Sequence, residues 1–321
     1  MKRLSLERRQ VWFYLAAIAL GLLAGTAEPG TASFMEALLW PVLAVLLFAT
    51  FLQVPLLHVL DALRDRRFAL AVLVGNFITV PLLAWGLVEA FNLEGPIRLG
   101  VLLVLLVLLV PCTDWFITFC QLGRGDVPRA IAITPLNLVL QLVLLPIYLW
   151  AMADAQSLGS WDWAALSLAL LVVLVPLGAA VLAERWMESG EGRDRVQETL
   201  AWWPVPLLAL VVFLIAGAQV GAVVGALGEL RVVLPLFVVF LAAAALLAKA
   251  LARWFDLPTP QGRTLAFSIG TRNSFVVLPL ALTLPPGLDV AAVVIVVQSL
   301  VELVGMAIYV WWVPNRLFKG D

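Results

Sequence analysis

Two apolar stretches of this chain carry groups suited to holding an ion or a small solute. One reads Leu109-Val-Pro-Cys-Thr-Asp-Trp-Phe116 and the other Ser268-Ile-Gly-Thr-Arg-Asn-Ser-Phe275. The first supplies a thiol at Cys112, a hydroxyl at Thr113 and a carboxylate at Asp114. The second supplies a hydroxyl at Thr271, a guanidinium at Arg272 and an amide at Asn273. A charge at the centre of a bilayer costs about 2.5 to 3.5 kcal/mol on insertion scales, so such groups persist where they face a partner, a cavity or a solute path. Pro111 removes a backbone donor and Gly270 loosens the chain, so each stretch is expected to interrupt its helix. Broken helices at matching places in two halves of a chain point to a carrier's binding site.

Further polar residues come in pairs. Asn137 and Gln141 lie four residues apart and share one helix face, as do Gln298 and Glu302. Asn137 and Gln141 suit solute contact and interhelical hydrogen bonding equally. Gln53, Asn76 and Gln219 read as interhelical hydrogen bonders. Asp114, Arg272 and Glu302 are ionisable at membrane depth and read as functional. Asp114 and Arg272 are expected to neutralise each other where the broken spans cross. Glu302 then stands apart as a carboxylate able to take up and release a proton. Cys112 is either apolar filler or a soft ligand for a thiophilic solute, and Cys120 reads as filler. The two cysteines form neither a disulfide framework nor a metal-binding spacing, and no cofactor motif is present.

The elements that must position these groups are membrane helices. The 321 residues are 63% hydrophobic and 13% charged, against about 25% charged in a typical soluble domain. The expected fold is an all-α polytopic membrane protein with ten spans, near 11–26, 36–58, 68–91, 97–121, 127–152, 161–185, 199–221, 231–254, 263–284 and 288–313. With both termini in the cytoplasm, only Arg98 and Arg231 of the 20 basic residues face outward, and Arg272 lies within a span. Tryptophans near span ends, such as Trp202, Trp203, Trp311 and Trp312, fit an interfacial belt, and Pro81, Pro146, Pro204 and Pro206 are expected to kink or end helices. No cleavable signal peptide is expected, and a net charge of −1 argues against a nucleic-acid partner.

An internal repeat is also visible. Asn137-x3-Gln141 and Ile147-Tyr-Leu-Trp150 recur as Gln298-x3-Glu302 and Ile308-Tyr-Val-Trp311, each offset by 161 residues. The same offset sets Cys112 opposite Asn273 and Thr113 opposite Ser274. The chain is therefore expected to be a single transmembrane domain over 1–321 with repeats at 11–152 and 161–313. Five spans per repeat make the second inverted relative to the first.

With these motifs in place, the sequence resembles the bile acid/sodium symporter superfamily, and within it the arsenite-efflux branch of arsenical-resistance-3 type permeases. Val110-Pro-Cys-Thr113 is similar to the fourth-span segment of arsenite permeases, and Ser268-Ile-Gly-Thr-Arg-Asn273 to the ninth-span motif. The resemblance implies ten spans in a five-plus-five inverted repeat, a panel and a core domain, and broken, crossing spans four and nine. It implies that Cys112 contacts arsenite and that Asn273 is the crossover amide. Bile-acid-type members carry Glu and Gln at the positions of Ser268 and Arg272, where they help hold sodium; here a fixed cation stands instead.

The expected function is export of arsenite or a similar trivalent metalloid across a bacterial inner membrane by proton antiport. Cys112, Thr113, Asn137, Gln141, Thr271 and Asn273 are the candidate substrate contacts. Asp114, Arg272, Gln298 and Glu302 are the candidate coupling or charge-pair residues. The alternative is an organic-anion transporter in which Arg272 meets the anion. With one His and no zinc or nucleophile-elbow motif the chain is not read as an enzyme.

Overall fold

Hydrocarbon offers no water to satisfy backbone N–H and C=O groups, so a chain this apolar must bond its backbone within each segment. The computed structural model describes residues 3–27, 30–91, 107–113, 115–152, 163–188, 199–200, 202–221, 227–283 and 290–320. The helices are α1 (Arg3–Ala27), α2 (Thr31–Phe51), α3 (Arg66–Ala90), α4 (Trp115–Leu122), α5 (Val127–Met152), α6 (Trp163–Glu188), α7 (Pro204–Ala218), α8 (Leu227–Trp254), α9 (Thr259–Gly270), α10 (Ser274–Leu282) and α11 (Val290–Trp312). Among the described residues, six helices are long and apolar enough to cross a membrane. The protein is thus an all-helical, multi-pass membrane protein. Outward side chains such as Trp12, Leu182, Trp186 and Leu246 are exposed and apolar, as a lipid-facing surface requires.

The second expected span, drawn to residue 58, is shorter than its hydropathy implied. Its helix ends at Phe51 and the chain continues as a 3₁₀ segment over Leu56–Arg64. Pro55 has no N–H and disfavours helical geometry at Val54, which explains the early stop. Residues 97–106 of the fourth expected span, and Asp114, lie outside the described residues.

The chain divides into two compact units. One comprises Met1–Gln53, Ser160–Gly228 and Leu278–Val296. The other comprises Val54–Gly159, Glu229–Val277 and Val297–Asp321. In the first unit α7 packs against α1 and α2, and α2 also packs against α6. Gly21 and Gly25 of α1 allow close approach: a Cβ would lie 2.3 Å from the Phe213 carbonyl at Gly21 and 2.2 Å from the Gly217 carbonyl at Gly25. Glycines four apart let helix backbones pack without side chains between them.

The second unit holds the two broken stretches. Its α3 contains a π-helical turn over Gly75–Thr79 that ends two residues before Pro81. Pro81 has no N–H to give to the Phe77 carbonyl one turn back. That carbonyl instead accepts the Tyr148 hydroxyl from α5 at 2.6 Å. Tyr309 of α11 likewise donates its hydroxyl to the Leu241 carbonyl of α8. At one end of this unit Arg129 donates from Nε to Asp65 Oδ2 at 2.6 Å and from Nη1 to Asp126, and Gln261 Nε2 donates to Asp65 at 3.1 Å. These contacts tie the first turns of α5 and α9 to the Asp65 cap of α3.

Candidate functional site

The two interrupted stretches meet within the second unit. A short helical turn over 107–109 gives way at Val110, and helix resumes at Trp115. In the other stretch α9 ends at Gly270, Thr271 is extended, and α10 begins at Ser274. The freed segments pair as a short antiparallel bridge between Pro111 and Arg272. The Cys112 N–H donates to the Thr271 carbonyl at 3.2 Å, and the Asn273 N–H donates to the Val110 carbonyl at 2.7 Å. Each broken helix thus satisfies part of the other's backbone, as membrane depth demands. Asn273 Nδ2 donates to Thr113 Oγ1 at 3.2 Å and so adds a side-chain link across the crossing. Thr271 turns its hydroxyl back onto the Phe267 carbonyl at 2.7 Å.

Arg272 is fully buried, at 0% exposure. Its Nη1 donates to the Leu108 carbonyl at 3.2 Å. Its Nη2 donates to Asn76 Oδ1 and the Ser268 carbonyl, each at 2.8 Å, and to the Ile269 carbonyl. Ser268 and Ile269 lie in the last turn of α9, where helix carbonyls lack intrahelical donors and carry partial negative charge. The guanidinium also lies 5.9 Å from the Phe240 ring centroid, within cation–π range. Its own backbone N–H donates to Glu302 Oε2 at 2.8 Å. A tethered cation therefore occupies a nest of carbonyl oxygens formed by the ends of broken helices.

Glu302 does not stand apart from Arg272. Besides that amide, its Oε2 accepts Gln298 Nε2 at 2.8 Å, and Gln298 Oε1 in turn accepts the Ser274 hydroxyl. The i, i+4 pair of α11 is thereby joined to the break between α9 and α10. The matching pair of α5 differs. Asn137 and Gln141 are buried at 0% and 1% exposure, and neither amide has a hydrogen-bond partner among the described residues. Leaving a buried polar group unsatisfied costs about 1 to 3 kcal/mol. The expected Asp114–Arg272 ion pair falls on a residue outside the described set. Cys112 is buried in the crossing; Cys120 sits away from it, with its sulfur 3.3 Å from Thr264 Oγ1, and the two form no disulfide. Among the described residues no group of three or more His, Cys, Asp or Glu could hold a metal ion.

Two contributors were not among the candidate site residues: Asn76, read as an interhelical hydrogen bonder, and Ser274, noted only as the counterpart of Thr113. Asn76 bridges Ser268 Oγ, to which its Nδ2 donates at 3.0 Å, and the guanidinium. Its signal was a lone amide in an apolar run five residues before a proline, where the π-helical turn now places it. Such turns occur often at functional sites. A Cβ at the adjacent Gly75 would lie 2.7 Å from Ile269 Cδ1, so glycine there lets α3 approach the end of α9. Ser274, the other contributor, carried no charge to draw attention.

Residues 40–226 match the family model described as the Sodium Bile acid symporter family. No curated protein matches the chain.

Proposed function

The chain belongs to the Sodium Bile acid symporter family, and from that premise we propose a secondary active transporter that exports arsenite or a similar trivalent metalloid in exchange for protons. The observation that carries this reading is the unequal hydrogen bonding of the two matching polar pairs, Gln298 and Glu302 against Asn137 and Gln141.

Under the 161-residue offset, Pro111 corresponds to Arg272, the two residues that bridge. The hydrogen bond from Cys112 to Thr271 corresponds to the one from Asn273 to Val110. Tyr148 corresponds to Tyr309, and both donate to a helix carbonyl. These correspondences favour a ten-span, five-plus-five inverted repeat, and the distribution of basic residues favours both termini in the cytoplasm. The same correspondences make Asn137 and Gln141 the counterparts of Gln298 and Glu302. Glu302 is engaged by the Arg272 N–H. The counterpart donor for Gln141 would be the N–H of residue 111, and proline has none. Gln298 and Glu302 are hydrogen-bonded within the protein, whereas Asn137 and Gln141 are buried with no hydrogen-bond partner among the described residues.

The cargo site proposed here comprises Cys112, Thr113, Thr271 and Asn273 at the crossing, with Asn137 and Gln141 behind them. One thiol among hydroxyls and amides suits reversible capture of a neutral, thiophilic hydroxide such as arsenite, because a carrier must also release its cargo. Arg272 takes the place where the resemblance to bile-acid-type members would put a sodium ligand, so no sodium ion is needed there. Glu302, hydrogen-bonded to the Arg272 backbone and to Gln298, is the proposed proton carrier. The organic-anion alternative is less well served, because the guanidinium's terminal nitrogens are spent on protein oxygens.

Everted membrane vesicles test the reading. Arsenite uptake driven by an imposed proton gradient is expected, lost in Cys112→Ala and independent of pH in Glu302→Gln. Absence of arsenite uptake by well-expressed protein would overturn the cargo. An unchanged pH profile in Glu302→Gln would overturn the proton carrier.

A further inference from the structure

A second region of the same unit lies outside the crossover. The helices α8 and α11 form an apolar groove of about 480 Å³ lined by Val238, Leu241, Ala242, Val304, Gly305 and Ile308. Gly305 sets its floor, since a Cβ there would lie 2.4 Å from Leu241 Cδ1. Along α11 the groove runs from Leu300 to Trp312. At 1.5 Å per residue that is about 18 Å, close to one leaflet of a hydrocarbon core about 30 Å thick.

A different cavity, of about 450 Å³, lies where α8 and the segment after α11 end. Lys249, Arg253, Arg316 and Lys319 converge on it. None of the four forms an ion pair among the described residues. The acidic residue lining it, Asp256, has Arg67 at 3.9 Å. The cavity wall is fixed: Arg263 Nη2 donates to the Phe318 carbonyl at 3.0 Å and to the Gly320 carbonyl. Trp312 ends the groove and Trp254, 76% exposed, ends α8; tryptophans at helix ends suit a membrane interface.

Basic residues at helix ends serve membrane topology in general. Topology alone does not require four of them to converge on one cavity at the ends of the same two helices that form an apolar groove of leaflet length. We propose that this face of α8 and α11 binds one anionic phospholipid. Its phosphate is held among Lys249, Arg253, Arg316 and Lys319, and an acyl chain lies along the groove. Basic pockets between membrane helices are suited to anionic headgroups.

The test uses the full chain, purified, delipidated and incubated with phosphatidylglycerol or phosphatidylcholine before native mass spectrometry. Phosphatidylglycerol is expected to be retained about tenfold better. The combined Arg253→Gln, Arg316→Gln and Lys319→Gln variant should abolish that preference, and Ala242→Trp should weaken retention by filling the groove. Lys319→Gln alone, on the exposed C-terminal segment, should give a smaller loss and stands in if the combined variant misfolds. Equal retention of both lipids, or retention of phosphatidylglycerol unchanged by the glutamine variants, would overturn the proposal. Displacement of the lipid by equimolar inorganic phosphate would also overturn it, marking a soluble-anion site.

Discussion

On the α11 side of the crossover, Gln298 and Glu302 bond to Ser274, to each other and to the Arg272 backbone. On the α5 side, Asn137 and Gln141 occupy matching positions in sequence and are equally buried, yet find no hydrogen-bond partner among the described residues. The difference begins with one backbone atom. Residue 272 has an N–H and a long cationic side chain, whereas residue 111 is proline with neither. The two matching polar pairs thus differ in their bonding: one is hydrogen-bonded to the crossover and the other has no partner among the described residues.

The largest effect that could break this comparison is removal of the guanidinium. Arg272→Met leaves Asn76 and the Leu108, Ser268 and Ile269 carbonyls without their donor. Breaking one partner of a buried charged network costs about 3 to 5 kcal/mol. A large fall in thermal midpoint in detergent, with loss of transport, is expected; an unchanged midpoint would mean the nest does not depend on its cation.

The two amide pairs should respond with opposite signs. Gln298→Ala removes hydrogen bonds to Ser274 and Glu302 and should cost about 1 to 3 kcal/mol of stability. Asn137→Ala removes no described hydrogen bond and should leave the midpoint of the cargo-free protein unchanged or higher, while cutting transport about tenfold. Equal destabilisation by both, measured by thermal unfolding, would show that the α5 side is closed as well.

The smallest effect is expected where charges face water. Asp65 and Arg129 are 30% and 40% exposed. Partial burial pushes the Asp65 carboxyl up, but hydrogen bonds from Arg129 and the Phe68 amide, with the Arg129 charge, outweigh it and hold the pKa below the ordinary value. A lowered folded-state pKa stabilises above the unfolded value near about 3.9, and that contribution is lost as pH falls through the lowered value. Asp65→Asn should therefore cost only about 0.5 to 1 kcal/mol near neutral pH, read as a shift in thermal midpoint, and nothing at strongly acidic pH.

Much of this was legible in the residues. Twenty-residue apolar runs must be helices in lipid, and α5 follows its expected limits of 127 and 152. Pro111 and Gly270 marked the breaks because their backbones cannot sustain a helix there. What the sequence hid was who meets whom. Charge alone left Glu302 aside, because backbone N–H and carbonyl groups are present at every residue and carry no sequence signal; the expected pairing of Arg272 with Asp114 falls on a residue outside the described set. Only the crossing of the chains brings the carbonyls of Leu108, Ser268 and Ile269 around one guanidinium. Asn76 was undervalued for a similar reason: the π-helical turn that aims it follows from Pro81, but its target lies 196 residues away.

We propose that Arg272 serves as a built-in cation in place of sodium. This is tested most directly by solute transport in proteoliposomes with and without a sodium gradient, comparing the native chain with Ser268→Glu/Arg272→Gln. The native protein is expected to be indifferent to sodium, and the double variant to gain sodium dependence. Sodium-driven transport by the native protein, unaltered by the substitutions, would contradict it.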